Sequence, residues 1–336
     1  MKNLLFVGSY LSKEYGSKPV SQSISEFLEG EFRVELRSRF SNKFLRALDI
    51  FRAIAFHDYA VVHFDIFSGK AVSIARAGAL LARLRNRRII FSLHGGGLAD
   101  YHSNFSVRLE KTLALADVLL TPSMFIKKHF EDSGFLVEYF PNPIRLENFT
   151  FNPVEQNEHR LLWVRAFAPT YRPQLAIEIL DSVLKAYPDS TLTMIGPDHG
   201  ELSSCIDLAA SLGVSDRVRI LGPVDNSELH QHYCGHDIYL NTTRYESFGM
   251  ALMEAAACGL PIVSSKVGEI PLLWVDGREI ILCSGEVAAD YVGGICRIFE
   301  EAEFASSMVH LARRKAEQYS WTSVGPQWRA LLERMS

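Results

Sequence analysis

The chain has 336 residues, 48% hydrophobic and 22% charged, with 13 prolines, 22 glycines and a net charge of −4. This composition excludes a disordered, collagen-like or disulfide-framework protein, and the length predicts two domains. No stretch free of Asp, Glu, Lys and Arg exceeds eleven residues, too short for a spanning helix of about 18 or more. The opening MKNLLFVGSYLSKEYG has too short an apolar run for a signal peptide. Cysteines at 205, 234, 258, 283 and 296 form no C-x-x-C pair, which predicts reduced thiols and a cytoplasmic protein. Residues 1–150 carry 20 Lys+Arg against 15 Asp+Glu, and residues 151–336 carry 15 against 24. A basic first half and an acidic second half point to two modules with different tasks.

In the first half, Leu4–Gly8, Phe32–Leu36, Ala60–Phe64, Arg88–Leu93, Val118–Thr121 and Val137–Phe140 read as strands. Amphipathic stretches near 20–29, 43–56, 70–85, 104–116 and 123–132 read as helices. The segment 141–159, PNPIRLENFTFNPVEQNEH, reads as a linker. The second half repeats the alternation, with strands at Leu161–Val164, Ser190–Ile195, Val218–Leu221, Ile238–Leu240 and Pro261–Ser264. Its helices are expected near 173–187, 201–212, 226–235, 249–258, 286–300 and 302–318, and over Trp321–Met335. This is an α/β pattern of parallel sheets covered on both faces. Two such sheets on a linker imply a cleft, and ligands of open parallel sheets bind at the carboxyl ends of the strands.

The segment Asn241–Gly259, NTTRYESFGMALMEAAACG, carries the most chemistry. A strand ends in a polar loop and a helix begins near Gly249. Glu246 precedes that helix and Glu254 lies within it, while the amides of Ser247, Phe248 and Gly249 form an N-terminal anion site. One carboxylate at each end of such a site can grip hydroxyls at both ends of a diphosphate-linked ligand. The spacing alone is met equally by an N-terminal helix charge and a solvated residue. Arg165 closes a strand at the carboxyl end, where an unpaired cation serves an anion, and Arg172 follows seven residues later. Fixed cations there stabilise the charge that builds on a departing diphosphate. His94 ends a first-half strand in FSLHGGG, where three glycines let backbone approach a ligand. Neither G-x-G-x-x-G after the first strand nor a P-loop motif is present, which argues against a dinucleotide dehydrogenase. The sequence holds no H-E-x-x-H and no D-x-D at a strand end, so no metal is expected.

ESFGMALMEAAACGLPIVSSKVGEIP resembles the donor-site signature of the family 4 retaining glycosyltransferases. The likeness runs through LGPVDNSELHQHYCGHDIYLN to YSWTSVGPQW, and in the first half it rests on SLHGGG and the loop at Tyr15–Pro19. It implies the GT-B fold, two Rossmann-like domains facing each other across a cleft. The expected division is 1–148 for the acceptor and 149–320 for the donor, with a final helix at 321–336 crossing back to the first domain. By this resemblance Glu254 holds the ribose, Glu246 the donor sugar's hydroxyls, and Val224 meets the base through its backbone. Ser247, Phe248 and Gly249 line the donor site, His94 lies near the donor's sugar and phosphate, and Gly16 lies near the phosphate. Two departures stand out. Where the family has a Lys after its Arg, this chain has Thr170 and Tyr171, with Arg172 one position late, and Ser17 replaces the second glycine of a pair.

The implied protein is a metal-independent, retaining glycosyltransferase of cell-surface polysaccharide or glycoconjugate synthesis. Its co-substrate is a nucleotide-diphosphate sugar, with UDP or GDP expected, and no cofactor is needed. The acceptor is a glycan, a lipid-linked molecule or a small molecule, and no nucleic acid is involved. Alternatives are a sugar-nucleotide 2-epimerase of similar fold and a catalytically silent nucleotide-sugar-binding partner. The stretch 66–99 has no Asp or Glu and six basic residues. Its helix, 70–88, reads either as a contact with the inner face of the membrane or as cations complementing a helix C-terminus.

Overall fold

The computed structural model describes residues 2–8, 10, 19–38, 40, 42–95, 97–153 and 158–336. The chain divides into two units, Met1–Pro143 with Trp321–Ser336, and Ile144–Ser320.

The first unit alternates β1 (Asn3–Val7), α1 (Val20–Phe27), β2 (Arg33–Arg37), α2 (Lys43–Phe56), β3 (Val61–Ile66), α3 (Lys70–Leu84), β4 (Arg88–Leu93), α4 (Leu98–Leu113), β5 (Val118–Thr121), α5 (Met124–Glu131) and β6 (Glu138–Tyr139). The strands form one parallel sheet in the order β2-β1-β3-β4-β5-β6. The chain winds one way from β1 and the other way from β3, so β1 and β3 flank a switch point where the crossovers leave opposite faces. Central strands such as β4 are buried on both faces, and their apolar runs are therefore nearly continuous. Helix starts are set by local caps: Asn42 accepts from the Phe44 and Leu45 amides, and Ser123 from that of Ile126.

The second unit runs β7 (Arg160–Val164), α6 (Pro173–Leu184), β8 (Thr191–Ile195), α7 (Leu202–Ser211), β9 (Val218–Gly222), α8 (Leu229–Cys234), β10 (Ile238–Asn241), α9 (Met250–Cys258), β11 (Ile262–Ser265), α10 (Ile270–Leu273), β12 (Ile281–Cys283), α11 (Ala289–Glu300) and α12 (Ala302–Glu317). Its parallel order is β12-β11-β10-β7-β8-β9, with the switch point between β7 and β10. The last helix, α13 (Trp321–Met335), packs in the first unit. Its Trp328, Leu331 and Leu332 cluster with Leu4, Phe6, Ile90 and Leu120, Trp321 stacks on Phe27, and Arg329 pairs with Glu31.

Some elements depart from the sequence pattern. β12 and α10 are too short to show as periodic runs, and the pattern does not contain them. Helix α4 begins at Leu98 rather than 104, because the glycines that precede it hide its start, and it kinks at Phe105. The units divide at Pro143 rather than 148: Ile144 bridges Ser320 and donates to the Tyr319 carbonyl, which ties it to the second unit. At the basic end of α3, Arg83 and Arg88 share Asp117 while Arg87 pairs with Asp58. Among the described residues no helix is long and apolar enough to cross a membrane.

Candidate active site

The β7 and β10 strands of the second unit end side by side, and the residues that follow them build the site. Arg165 leaves β7 with its amide bonded to the Ile195 carbonyl, 2.9 Å. A side chain at Gly196, just after β8, would strike the Arg165 carbonyl at 1.8 Å, so glycine is what lets the ends of β7 and β8 meet. The Arg165 guanidinium, its side chain 13% exposed, donates through Nη2 to Glu246 Oε2 at 2.5 Å. Its centre lies 5.3 Å from the Tyr171 ring. Burial works against its charge, but Glu246 and the surrounding tyrosines more than offset that and raise its pKa. The expected unpaired cation is thus one half of a part-buried ion pair, because the fold brings the carboxylate after β10 against it.

Glu246 Oε1 also accepts from the amides of Ser247 and Phe248, at 3.1 and 3.4 Å. Two of the three amides expected to lie open to an anion therefore face the protein's own carboxylate. The helix N-terminus favours negative charge, and Glu246 stands within reach of it. Gly249 caps α9 in the left-handed region, and Phe248 is buried edge-on against Tyr319. From the other side, Gly268 presses on the Glu246 backbone. A Cβ there would lie 2.1 Å from the Glu246 carbonyl, which accepts from the amide of buried Glu269 at 3.1 Å.

Arg172 occupies the left-handed region at φ 48° before α6. Its Nε donates to the Thr242 carbonyl at 2.7 Å and its Nη2 to the Thr243 carbonyl at 3.5 Å. The Thr242 hydroxyl donates to the Tyr171 carbonyl and accepts from Trp163 Nε1. Arg172 thus laces the loops after β7 and β10 together, while Arg165 holds the ion pair.

Glu254, one face of α9, accepts through Oε2 from the Tyr233 hydroxyl of α8 at 2.8 Å. Burial pushes the Glu254 carboxyl up to about 7, against the pull of Tyr233 and Arg165. Val224 follows β9, half-buried, its side chain on the apolar core. In the first unit, His94 follows β4, its amide bonded to the Ile66 carbonyl. The imidazole Nε2 lies 3.1 Å from Asp65 Oδ1, and the ring stacks on Phe67. Gly16 lies outside the described residues. Among the described residues no cluster of three or more His, Cys, Asp or Glu could hold a metal ion.

Sequence reasoning missed Asp65, Tyr233, Thr242, Gly196 and Gly268. Of these only Gly268 had a local signal, the KVGEIP turn after a strand. The others are defined by partners distant in the chain.

The family model described as Glycosyl transferases group 1 matches residues 145–315. The chain belongs to this family. Among curated relatives, the D-inositol 3-phosphate glycosyltransferase of Gordonia bronchialis is 28% identical over 191 residues, 54% of this chain and 42% of that protein. The Frankia alni protein of the same name is 25% identical over 240 residues, 63% of this chain and 59% of that protein. The matches thus span less than two thirds of these relatives' own length. Among solved structures, sucrose-phosphate synthase from Thermosynechococcus elongatus superposes with a TM-score of 0.79 at 15% identity, covering 100% of this chain and 99% of that one. Anabaena HepE in complex with UDP and glucose gives 0.77 at 16% identity, covering 99% and 100%. At such identities the likeness is one of fold, and the fold is that of the GT-B glycosyltransferases.

Proposed function

We propose that the protein is a retaining, metal-independent glycosyltransferase that moves a sugar from a nucleotide-diphosphate sugar to an acceptor. The observation that carries this reading is the part-buried Arg165–Glu246 pair at the β7/β10 switch point, with Glu254 on the helix that follows. Ligands of parallel sheets bind at such a point. A guanidinium kept charged by a carboxylate can stabilise a leaving diphosphate without a metal, and it acts more strongly as charge builds than in the ground state. In this scheme Glu246 receives hydroxyls of the donor sugar, Glu254 the ribose, and the Val224 backbone the base. His94 meets the donor's sugar. Retention follows from same-face attack through an oxocarbenium-like state with the leaving phosphate as base. The UDP and UDP-glucose complexes of Anabaena HepE favour UDP as the nucleotide.

The unit of residues 144–320 is the donor module and the unit of residues 1–143 the acceptor module. For the acceptor, a lipid-linked glycan of cell-surface polysaccharide synthesis at the inner face of the membrane suits the exposed Phe44, Leu48 and Phe56 of α2. Helix α2 packs beside the basic helix α3, and apolar tips among cations suit an anionic lipid surface.

A thermal-shift screen against UDP, GDP and ADP and their sugars identifies the donor, because occupancy raises stability. Incubation of that donor with and without acceptor, in excess EDTA, then tests the reaction. Sugar transfer supports the proposal. Isomerised nucleotide sugar would make the protein an epimerase, and binding with no product would make it a silent partner.

A further inference from the structure

Asp65 is a buried carboxylate to which nothing above gives a role. It lies on β3 beside the β1/β3 switch point of the first sheet, its side chain 4% exposed. Gly8, just after β1, makes room for it: a Cβ there would stand 2.4 Å from Asp65 Oδ2. A carboxylate this deep is costly unless its lone pairs are met. The Ser21 hydroxyl of α1 donates to Oδ2 at 2.5 Å, and His94 Nε2 lies 3.1 Å from Oδ1. The other titratable group facing it is His63, whose Nδ1 stands 4.0 Å from Oδ1 and whose Nε2 is 2.7 Å from Ser92 Oγ. Burial pushes His63 down to about 4, so at neutral pH it brings no charge. Burial alone would raise the Asp65 carboxyl, but the hydrogen bonds from His94 and Ser21 prevail and hold it below its usual range.

An ionised carboxylate can only accept, so the hydrogen between Asp65 and His94 sits on Nε2. The hydrogen bond made by one ring nitrogen sets the state of the other. The His94 ring is held on one face by Phe67 and keeps 15% side-chain exposure. With Nε2 turned inward, Nδ1 is the nitrogen left for a ligand. We propose that Asp65 is a positioning residue that fixes His94 as the Nε2–H tautomer, so that Nδ1 accepts a hydrogen bond from a hydroxyl of the bound sugar. A phosphate oxygen has no hydrogen to give to that atom. The inference rests on the transferase reading for its consequence in turnover, and on this cluster alone for the tautomer.

The test combines ¹⁵N imidazole NMR of the full chain with a double-mutant cycle, the His94 signal being assigned by its loss in His94→Gln. The expected wild-type spectrum at neutral pH has His94 protonated at Nε2 and bare at Nδ1. In Asp65→Asn that single tautomer is lost, and kcat falls about 10- to 100-fold, the range for one charge-assisted hydrogen bond. The Asp65→Asn/His94→Gln double variant is expected to be no slower than His94→Gln, because Asp65 acts only through the ring. Ser21→Ala, which leaves the dyad whole, keeps the wild-type tautomer. Protonated Nδ1 in the wild type, an unchanged tautomer in Asp65→Asn, or losses that multiply in the double variant would each overturn the proposal. If Asp65→Asn does not fold, the wild-type spectrum still decides the tautomer. A chain that transfers no sugar from any donor fails the transferase reading and leaves the spectrum to stand by itself.

Discussion

Arg165 and Glu246 are 81 residues apart in the chain and 2.5 Å apart in the fold, guanidinium to carboxylate. Both side chains are mostly withdrawn from solvent, and removing one partner strands the other's charge. Arg165→Ala should therefore cost about 3–5 kcal/mol of stability, and Arg165→Ala/Glu246→Gln should cost less than the single change. Urea titration of the two variants checks this order. The folded fraction of Arg165→Ala should also turn over about a hundred- to thousandfold more slowly. Normal activity per folded molecule would leave the pair a purely structural device.

Glu254 makes stability and binding run in opposite directions with pH. Its carboxyl is raised in the fold, to about 7 from 4.5. The folded state therefore holds the proton more tightly than the unfolded chain. The resulting stabilisation is full below pH 4.5 and is lost as pH rises through 7, at most about 3 kcal/mol. Glu254→Gln should flatten that decline, as thermal melts at pH 5, 6, 7 and 8 would record. The ionised carboxylate is the stronger acceptor for ribose, so nucleotide-sugar affinity should tighten between pH 6 and 8 in the wild type. Titration calorimetry at both pH values should find this dependence absent in Glu254→Gln.

Arg172→Ala should loosen the two loops it laces. Losing charged hydrogen bonds to the Thr242 and Thr243 carbonyls is expected to cost about 1.5–3 kcal/mol. A lowered melting temperature with modest loss of turnover fits a loop anchor. An unchanged melting temperature with activity abolished would return Arg172 to direct phosphate binding.

Turnover is expected to persist in excess EDTA, since Arg165 supplies the positive potential that a metal otherwise would. Loss of product formation, restored by magnesium or manganese, would refute this.

The parallel strands were legible because strands buried on both faces are continuous apolar runs, as at Arg88–Leu93 and Val118–Thr121. Glu246 and Glu254 stood out through their local motif. What joins them did not: Tyr233 reaches Glu254 across 21 residues, and Arg172 reaches Thr242 across 70. Such partners are set by which strand ends the topology brings together, and no periodicity encodes that. Arg172 shows the same limit. Its place in the chain suggests a shifted phosphate ligand, whereas the left-handed turn at this residue aims its side chain at loop carbonyls. The Ser247 and Phe248 amides were expected to be open because a helix start was visible but the rotamer of Glu246 was not.

Helix α13 has a consequence for the order in which the protein is made. Leu4, Phe6, Ile90 and Leu120 are among the earlier residues synthesised, yet the side chains that cover them, Trp328, Leu331 and Leu332, are translated more than 200 residues after the last of them. Residues 144–320 hold all six strands of their own sheet and can close while one face of the first sheet is still only partly covered. On the ribosome the later-encoded unit is thus the first that can be completed. The earlier one must keep an apolar face from sticking to other chains until the final helix emerges.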